Sequence, residues 1–142
     1  MIDRELVTRK MVLIASDLDG MRRIAAQSLG DYLSHETDEL VVERYFERVI
    51  GRMIDINYHL LIEAGQPPPA DYYESFVKLT RLGVLPREFA AQIAACAGLR
   101  NRIAHEYDAI DPGKVYEALH AALRDIPLYL GHVRDYLEHS GT

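Results

Sequence analysis

The chain has 142 residues, enough for one domain with a substantial core and too few for two. Its 49% hydrophobic and 27% charged residues are typical of a soluble globular protein and exclude a disordered one. The net charge of −6 excludes nucleic-acid binding by overall attraction, so any such binding would need a local basic cleft.

The sequence predicts neither a signal peptide nor a membrane-spanning segment. Residues 1–5 contain no basic flank that leads into an apolar core, and no apolar run approaches about 18 residues. The single thiol, Cys96, has no second cysteine with which to pair. We therefore expect a cytoplasmic protein without disulfides or membrane contact. Because its neighbours in residues 94–98 carry no charge that would activate the thiol, we do not expect Cys96 to act as a nucleophile.

Two long helices are predicted in the first half of the chain. Apolar residues spaced three or four apart over residues 3–27 predict an amphipathic helix, which Gly20 could bend without ending. A polar stretch over residues 34–39 resembles a helix start, with Thr37 as the candidate cap. The helix that follows has a wide apolar face, and Gly65 is its predicted end.

Prolines and glycines set the boundaries in the second half. Three prolines at residues 67–69 form the clearest break, in a loop too short to link two domains. A brief helix over residues 72–82 is predicted next, with Gly83 behind it. Pro86 then opens a fourth helix that runs to about His105.

A last helix is predicted from Asp111 and Pro112, which together have the cap-then-proline pattern of a helix start. It reaches about Leu137, and Pro127 predicts a kink or a split within it. No segment alternates as a strand does. The sequence therefore predicts one all-α domain over residues 1–142, an up-and-down bundle of four or five helices.

The residues best suited to chemistry lie at the end of the fourth predicted helix. Arg100 is a permanent cation that can hold a phosphate, and His105 can move a proton near neutral pH. Asn101 and His105 share a helix face, whereas Arg100 lies about 140° from His105 around the axis. Because arginine is long, Arg100 and His105 can still converge on one phosphate, with Asn101 between them. Cleavage of RNA needs a base, an acid and cations near the phosphorane, and no metal.

A two-fold dimer that pairs this helix with its copy would bring two such histidines and two arginines into one cleft. The same cleft would also gather Arg102, and Arg87 or Lys78. These cations would form the local basic cleft that a chain of net negative charge needs in order to bind a nucleic acid.

Local pattern alone leaves ordinary structural roles open. A histidine near a helix end often caps carbonyl groups, and Tyr107 could be a core anchor with a solvated hydroxyl. Glu117 and His120 form a single Glu-x-x-His, but di-iron bundles need a second copy and further carboxylates. We therefore predict no metal site.

The pattern Arg100-x4-His105-x-Tyr107 resembles the signature of the HepT-like toxins of the HEPN superfamily. The resemblance extends over nearly the whole chain and involves residues 54–60, 67–69, 73–76, 83–86, 98–102 and 111–112, in the family's order and spacing. The sequence does not depart from the motif.

The resemblance implies the toxin of a type VII toxin–antitoxin system, an all-helical homodimer that acts as a metal-independent endoribonuclease without a cofactor. Arg100 and His105 would be its catalytic pair, with Asn101 and Arg102 supporting them. A nucleotidyltransferase antitoxin would silence it by transferring AMP onto Tyr107. The alternatives are a non-catalytic module that binds a nucleotide or the nucleotidyltransferase partner, and a purely structural helical dimer.

Overall fold

The computed structural model describes residues 1–105 and 111–140, except the side chains of residues 104 and 105. Within this part of the chain there are six α-helices, one 3-10 helix and no strand. They are α1 (Arg4–Ala25), α2 (Leu29–Leu33), α3 (Glu36–Glu63), α4 (Tyr72–Val77), a 3-10 helix (Lys78–Leu82), α5 (Arg87–His105) and α6 (Pro112–His139). The all-α bundle is confirmed.

The four long helices form the bundle. Helix α3 packs against α1, α5 and α6, and α1 also packs against α6. The short α4 lies against both α3 and α5. Among the described residues, no helix is both long and apolar enough to cross a bilayer.

Side-chain caps begin most of the helices. Asp3 accepts a hydrogen bond from the Leu6 N–H, and Asp71 accepts one from the Glu74 N–H. At α6 the predicted cap is confirmed, since Asp111 accepts from the Gly113 N–H at 2.8 Å.

The prediction that Thr37 caps α3 is wrong. The helix begins at Glu36, and His35 occupies the cap position without a side-chain cap hydrogen bond. Three carboxylates in the first turn, including Glu36, favour this helix start electrostatically. The short α2 was not predicted, because five residues are too few to establish a helical period.

Glycines end two helices as predicted. Gly65 has a φ of 79°, and the N–H of Gln66 donates to the Leu61 carbonyl, a Schellman ending for α3. Gly83 has a φ of 76° and ends the 3-10 helix in the same way.

Helices α1 and α6 continue through their potential breaks. Gly20 is buried, and a Cβ at that position would overlap the phenol of Tyr45 in α3, so the glycine permits close packing of α1 on α3. Of the kink or split predicted at Pro127, the split is wrong, since α6 is continuous through the proline. Ile126 and Tyr129 on either side of the proline are fully buried, and their packing holds both halves of α6 on the core.

A buried hydrogen-bond chain connects α6, α3 and α4. The hydroxyl of Tyr129 donates to Asn57 Oδ1 at 2.6 Å, and Asn57 Nδ2 donates to Ser75 Oγ at 3.2 Å. Ser75 Oγ in turn donates to the carbonyl of Tyr72 at 2.6 Å. This chain fixes the first turn of α4, which carries Tyr72.

Candidate active site

Arg100, the predicted catalytic cation, lies between α5 and its neighbours α3 and α4. Its guanidinium carbon is 5.5 Å from the ring centroid of Tyr72, a cation–π contact. Gly51 of α3 lies behind the guanidinium, and a Cβ there would be 3.8 Å from Arg100 Nε. That Nε is buried and has no hydrogen-bond partner among the described residues. A buried donor without a partner is uncommon and indicates a place for a ligand or a water molecule.

A cavity of about 550 Å³ opens beside Arg100, between α3, α4 and α5. We call it the arginine pocket. It is lined by Arg48, Gly51, Arg52, Ile54, Asp55, Tyr58, Tyr72 and Arg100. Its volume lies within the range of ordinary small-ligand sites, about 300–1,000 Å³.

The arginine pocket is a local positive region in an acidic chain. Two of its arginines share one buried carboxylate of α1: Asp17 pairs with Arg48 at 3.2 Å and with Arg52 at 2.8 Å. The pocket's own carboxylate, Asp55, pairs with Lys10 at 3.0 Å. Of the eight residues that line the pocket, three are arginines and one, Asp55, is a carboxylate. The local basic cleft that nucleic-acid binding would require is therefore present within a single chain.

The tyrosines of the arginine pocket lie edge to face. The ring centroids of Tyr58 and Tyr72 are 6.3 Å apart and the rings are inclined by 77°. Burial, then the neighbouring Tyr72 and the carboxylates of Asp71 and Glu74, raise the pKa of the Tyr58 phenol. The Tyr58 hydroxyl therefore stays protonated and can act as a hydrogen-bond donor near neutral pH.

The other predicted cations do not join Arg100 within one chain. Arg102 lines a separate cavity of about 180 Å³ between α5 and α6. Arg87, the first residue of α5, is about 20 Å from Arg100 along the helix axis. Lys78 pairs with Glu74 at 2.7 Å. Asn101, the predicted supporting amide, is exposed.

The two remaining predicted site residues lie at or beyond the limit of the described residues. His105 is the last residue of α5, five positions after Arg100, and its side chain is outside the described part. Tyr107 is entirely outside it.

Sequence reasoning missed the partners that the structure brings to Arg100. Arg48 and Arg52 are four residues apart on α3, which places them on one helix face. The available signal was a pair of arginines at i and i+4 of one helix, a spacing that lets both side chains reach one partner. Tyr72 offered no such signal, since its contact with Arg100 depends on how α4 packs against α5.

Cys96 lies on the other side of α5, next to Arg102. Burial, and then the carboxylate of Asp125, raise the pKa of its thiol to about 12. The thiol therefore remains protonated near neutral pH. Among the described residues, no three histidine, cysteine, aspartate or glutamate side chains are grouped as metal ligands.

Comparison with solved structures shows a shared fold. A chain of a crystal structure of a toxin–antitoxin with AMP-PNP has a TM-score of 0.85 at 16% identity, covering 93% of this chain and 99% of that one. The tri-AMPylated Shewanella oneidensis HEPN toxin in complex with the MNT antitoxin has a TM-score of 0.84 at 18% identity, with 95% and 99% covered. YutE from Bacillus subtilis, a cytosolic protein of unknown function, has a TM-score of 0.81 at 19% identity, with 99% and 94% covered.

Sequence comparison is more specific. A family model described as "Ribonuclease HepT-like" matches residues 14–133. The tRNA nuclease HepT of Aphanizomenon flos-aquae (strain 2012/KM1/D3) is 37% identical over 136 residues, which span 96% of this chain and 92% of that relative. Since the model covers most of the chain and the relative matches it almost end to end, this chain belongs to the HepT-like ribonuclease family.

Proposed function

We propose that this protein is the toxin of a toxin–antitoxin pair and acts as a metal-independent endoribonuclease. Family membership supports ribonuclease activity in general. The relative named a tRNA nuclease makes tRNA the first substrate to test.

The single observation that carries the proposal is the setting of Arg100. Its guanidinium is held against Tyr72 in a basic pocket, with a buried Nε that has no partner among the described residues. A fixed guanidinium that is partly shielded from solvent is well suited to stabilising the extra negative charge of a phosphorane. His105 ends the same helix five residues later.

In the proposed reaction, the imidazole of His105 removes the proton of a ribose 2′-hydroxyl. The 2′-oxygen attacks the adjacent phosphorus, and the bond to the 5′-oxygen breaks. An acid then protonates the leaving 5′-oxygen. The products are a 2′,3′-cyclic phosphate and a 5′-hydroxyl end. Arg100 stabilises the charge of the phosphorane, and Asn101 orients the phosphate.

A homodimer supplies the second proton-transfer group. A two-fold axis near the end of α5 would bring a second His105 into the cleft, so that one copy acts as base and the other as acid. Arg102 lies on a different side of α5 from Arg100 within the chain, so any supporting role for it would be toward the partner copy.

The proposal includes silencing by a nucleotidyltransferase antitoxin that transfers AMP onto Tyr107. The structurally similar AMPylated toxin bound to its antitoxin supports this form of control. An added phosphate two residues from His105 would occupy the position of an RNA phosphate and repel the substrate.

The test compares the purified protein with His105→Ala and Arg100→Ala on total tRNA, in the presence of a chelator. His139→Ala is the matched control, because His139 is an exposed histidine at the far end of α6. We expect cleavage to cyclic-phosphate ends by the wild type and His139→Ala only. If folded wild-type protein leaves the RNA intact, the nuclease is refuted, and binding without cleavage would favour a nucleotide- or partner-binding module.

The silencing step has a separate readout. The protein co-expressed with its nucleotidyltransferase should gain the mass of AMP on Tyr107, and Tyr107→Phe should remain unmodified and active. Modification that leaves cleavage unchanged would contradict the proposed control.

A further inference from the structure

We infer that the arginine pocket binds one nucleotide of a single RNA strand, with Arg48 and Arg52 holding its phosphate and the ring of Tyr72 contacting its base. This inference rests on the proposed function, because that function supplies RNA as the ligand. It assigns the recognition of the strand to residues outside the Arg-x4-His-x-Tyr motif.

The arginines of the pocket have N–H donors that no group in the described residues uses. Each guanidinium has five N–H donors, and Asp17 is bound to a single Nη atom of Arg48 and a single Nη atom of Arg52. The Arg100 Nε adds a buried donor without a partner among the described residues. Planar guanidinium groups match the geometry of phosphate oxygens, so three arginines around one cavity are well suited to a phosphodiester.

These arginines are held in place before a ligand arrives. Asp17 is 6% exposed and anchors Arg48 and Arg52 from α1. Arg100 is held by the ring of Tyr72. A ligand that binds to fixed side chains loses less conformational entropy on binding.

The ring of Tyr72 forms an accessible aromatic side of the pocket. Tyr72 is 40% exposed although it lines the pocket, and the buried hydrogen-bond chain through Ser75 fixes its backbone. Bases of single-stranded RNA stack on such rings, whereas the bases of a duplex are already stacked on each other. The combination of arginines with an accessible tyrosine therefore favours a single strand over a duplex.

The first experiment measures RNA binding in a His105→Ala background, so that cleavage does not interfere. Arg48→Gln is compared with Arg44→Gln by fluorescence anisotropy of a labelled single-stranded oligonucleotide at several salt concentrations. Both arginines are on α3, but Arg44 is 70% exposed and pairs with Glu47 rather than lining the pocket. Arg48→Gln leaves Asp17 paired with Arg52, so the fold should be retained.

A lost phosphate contact has a measurable signature. Each contact with a single strand contributes about 0.7 to the slope of log K against log salt concentration. We expect Arg48→Gln to reduce the magnitude of that slope by about 0.7 and to weaken binding severalfold at low salt, while Arg44→Gln retains the wild-type slope. Equal slopes for the two variants would overturn the inference.

The second experiment fills the pocket without changing its charge. A Cβ at Gly51 would make an ordinary contact with Arg100 Nε at 3.8 Å, so Gly51→Ala should weaken RNA binding less than a larger side chain does. Gly51→Leu should fill the space beside the guanidinium and weaken binding by about tenfold or more. Thermal melting of both variants establishes that they are folded, and if folded Gly51→Leu binds normally the pocket is not the RNA site.

The third experiment separates the ring from its hydroxyl. Tyr72→Leu should weaken binding by roughly 5- to 150-fold, the range for loss of one stacked base. Tyr72→Phe retains the ring and should restore wild-type affinity. Loss of binding in both variants would contradict stacking.

Failure of this inference is distinguishable from failure of the nuclease. Normal cleavage and binding by Arg48→Gln and Gly51→Leu would overturn the inference alone. Binding that depends on Arg48, Gly51 and Tyr72, in a wild-type protein that does not cleave, would support the inference and refute the nuclease.

Discussion

Tyr129→Phe removes one oxygen atom from the centre of the bundle and should destabilise it measurably. The Tyr129 hydroxyl is 2.6 Å from Asn57 Oδ1, and both residues are fully buried. Without that hydroxyl, Asn57 Oδ1 loses a donor that water cannot replace. A buried polar group left unsatisfied costs about 1–3 kcal/mol. For a chain of this length, that loss corresponds to a fall in Tm of roughly 3–10 °C.

Urea unfolding followed by circular dichroism measures the change in the free energy of unfolding. Tyr73→Phe is the matched control, because Tyr73 is 50% exposed and its phenol has no hydrogen-bond partner among the described residues. It should remain within about 0.5 kcal/mol of the wild type. A double-mutant cycle with Asn57→Ala should give a coupling energy of about 0.5–3 kcal/mol. If Tyr129→Phe is as stable as the wild type, the hydrogen-bond chain does not stabilise the bundle and the reasoning fails.

Three further predictions concern other parts of the bundle. Cys96 should not react with a thiol reagent at pH 8 until urea unfolds the protein, because burial raises the pKa of its thiol to about 12. Rapid reaction of the folded protein would contradict this prediction. Gly20→Ala should lower the Tm because its Cβ would overlap the Tyr45 phenol. The same substitution should lower the Tm less in a Tyr45→Ala background. An unchanged Tm in Gly20→Ala would contradict the overlap. Burial and then neighbouring carboxylates, Glu39 first, raise the pKa of Glu43, so the folded state loses stability as the pH rises through that pKa. Glu43→Gln should therefore have a larger free energy of unfolding than the wild type at pH 7, and the difference should be smaller at pH 4. A difference that does not change with pH would refute the raised pKa of Glu43.

The helix boundaries were largely predictable because short-range chemistry determines them. Gly65 ends α3 through its own positive φ, and Asp111 caps α6 through a hydrogen bond two residues away. The error at Pro127 arose because tertiary packing outweighed a local preference. Pro127 should weaken α6, but burial of Ile126 and Tyr129 keeps the helix continuous across it.

The candidate site was predictable only in part. The motif identified Arg100 and located it near the end of a helix, where the structure has it. The surroundings of Arg100 come from α1, α3 and α4, which are distant in sequence. No periodicity indicates that Asp17 faces Arg48 and Arg52, or that Tyr72 lies against Arg100, because these contacts exist only after the helices pack.

The carboxylate of Asp17 makes folding and RNA recognition depend on the same arginines. Arg48 and Arg52 neutralise an aspartate that is only 6% exposed, so a chain that lost both would leave an uncompensated buried charge at a cost of several kcal/mol. A descendant of this protein that had lost nuclease activity would still be under selection to keep Arg48 and Arg52 for stability. Its basic pocket would therefore persist after the activity was lost.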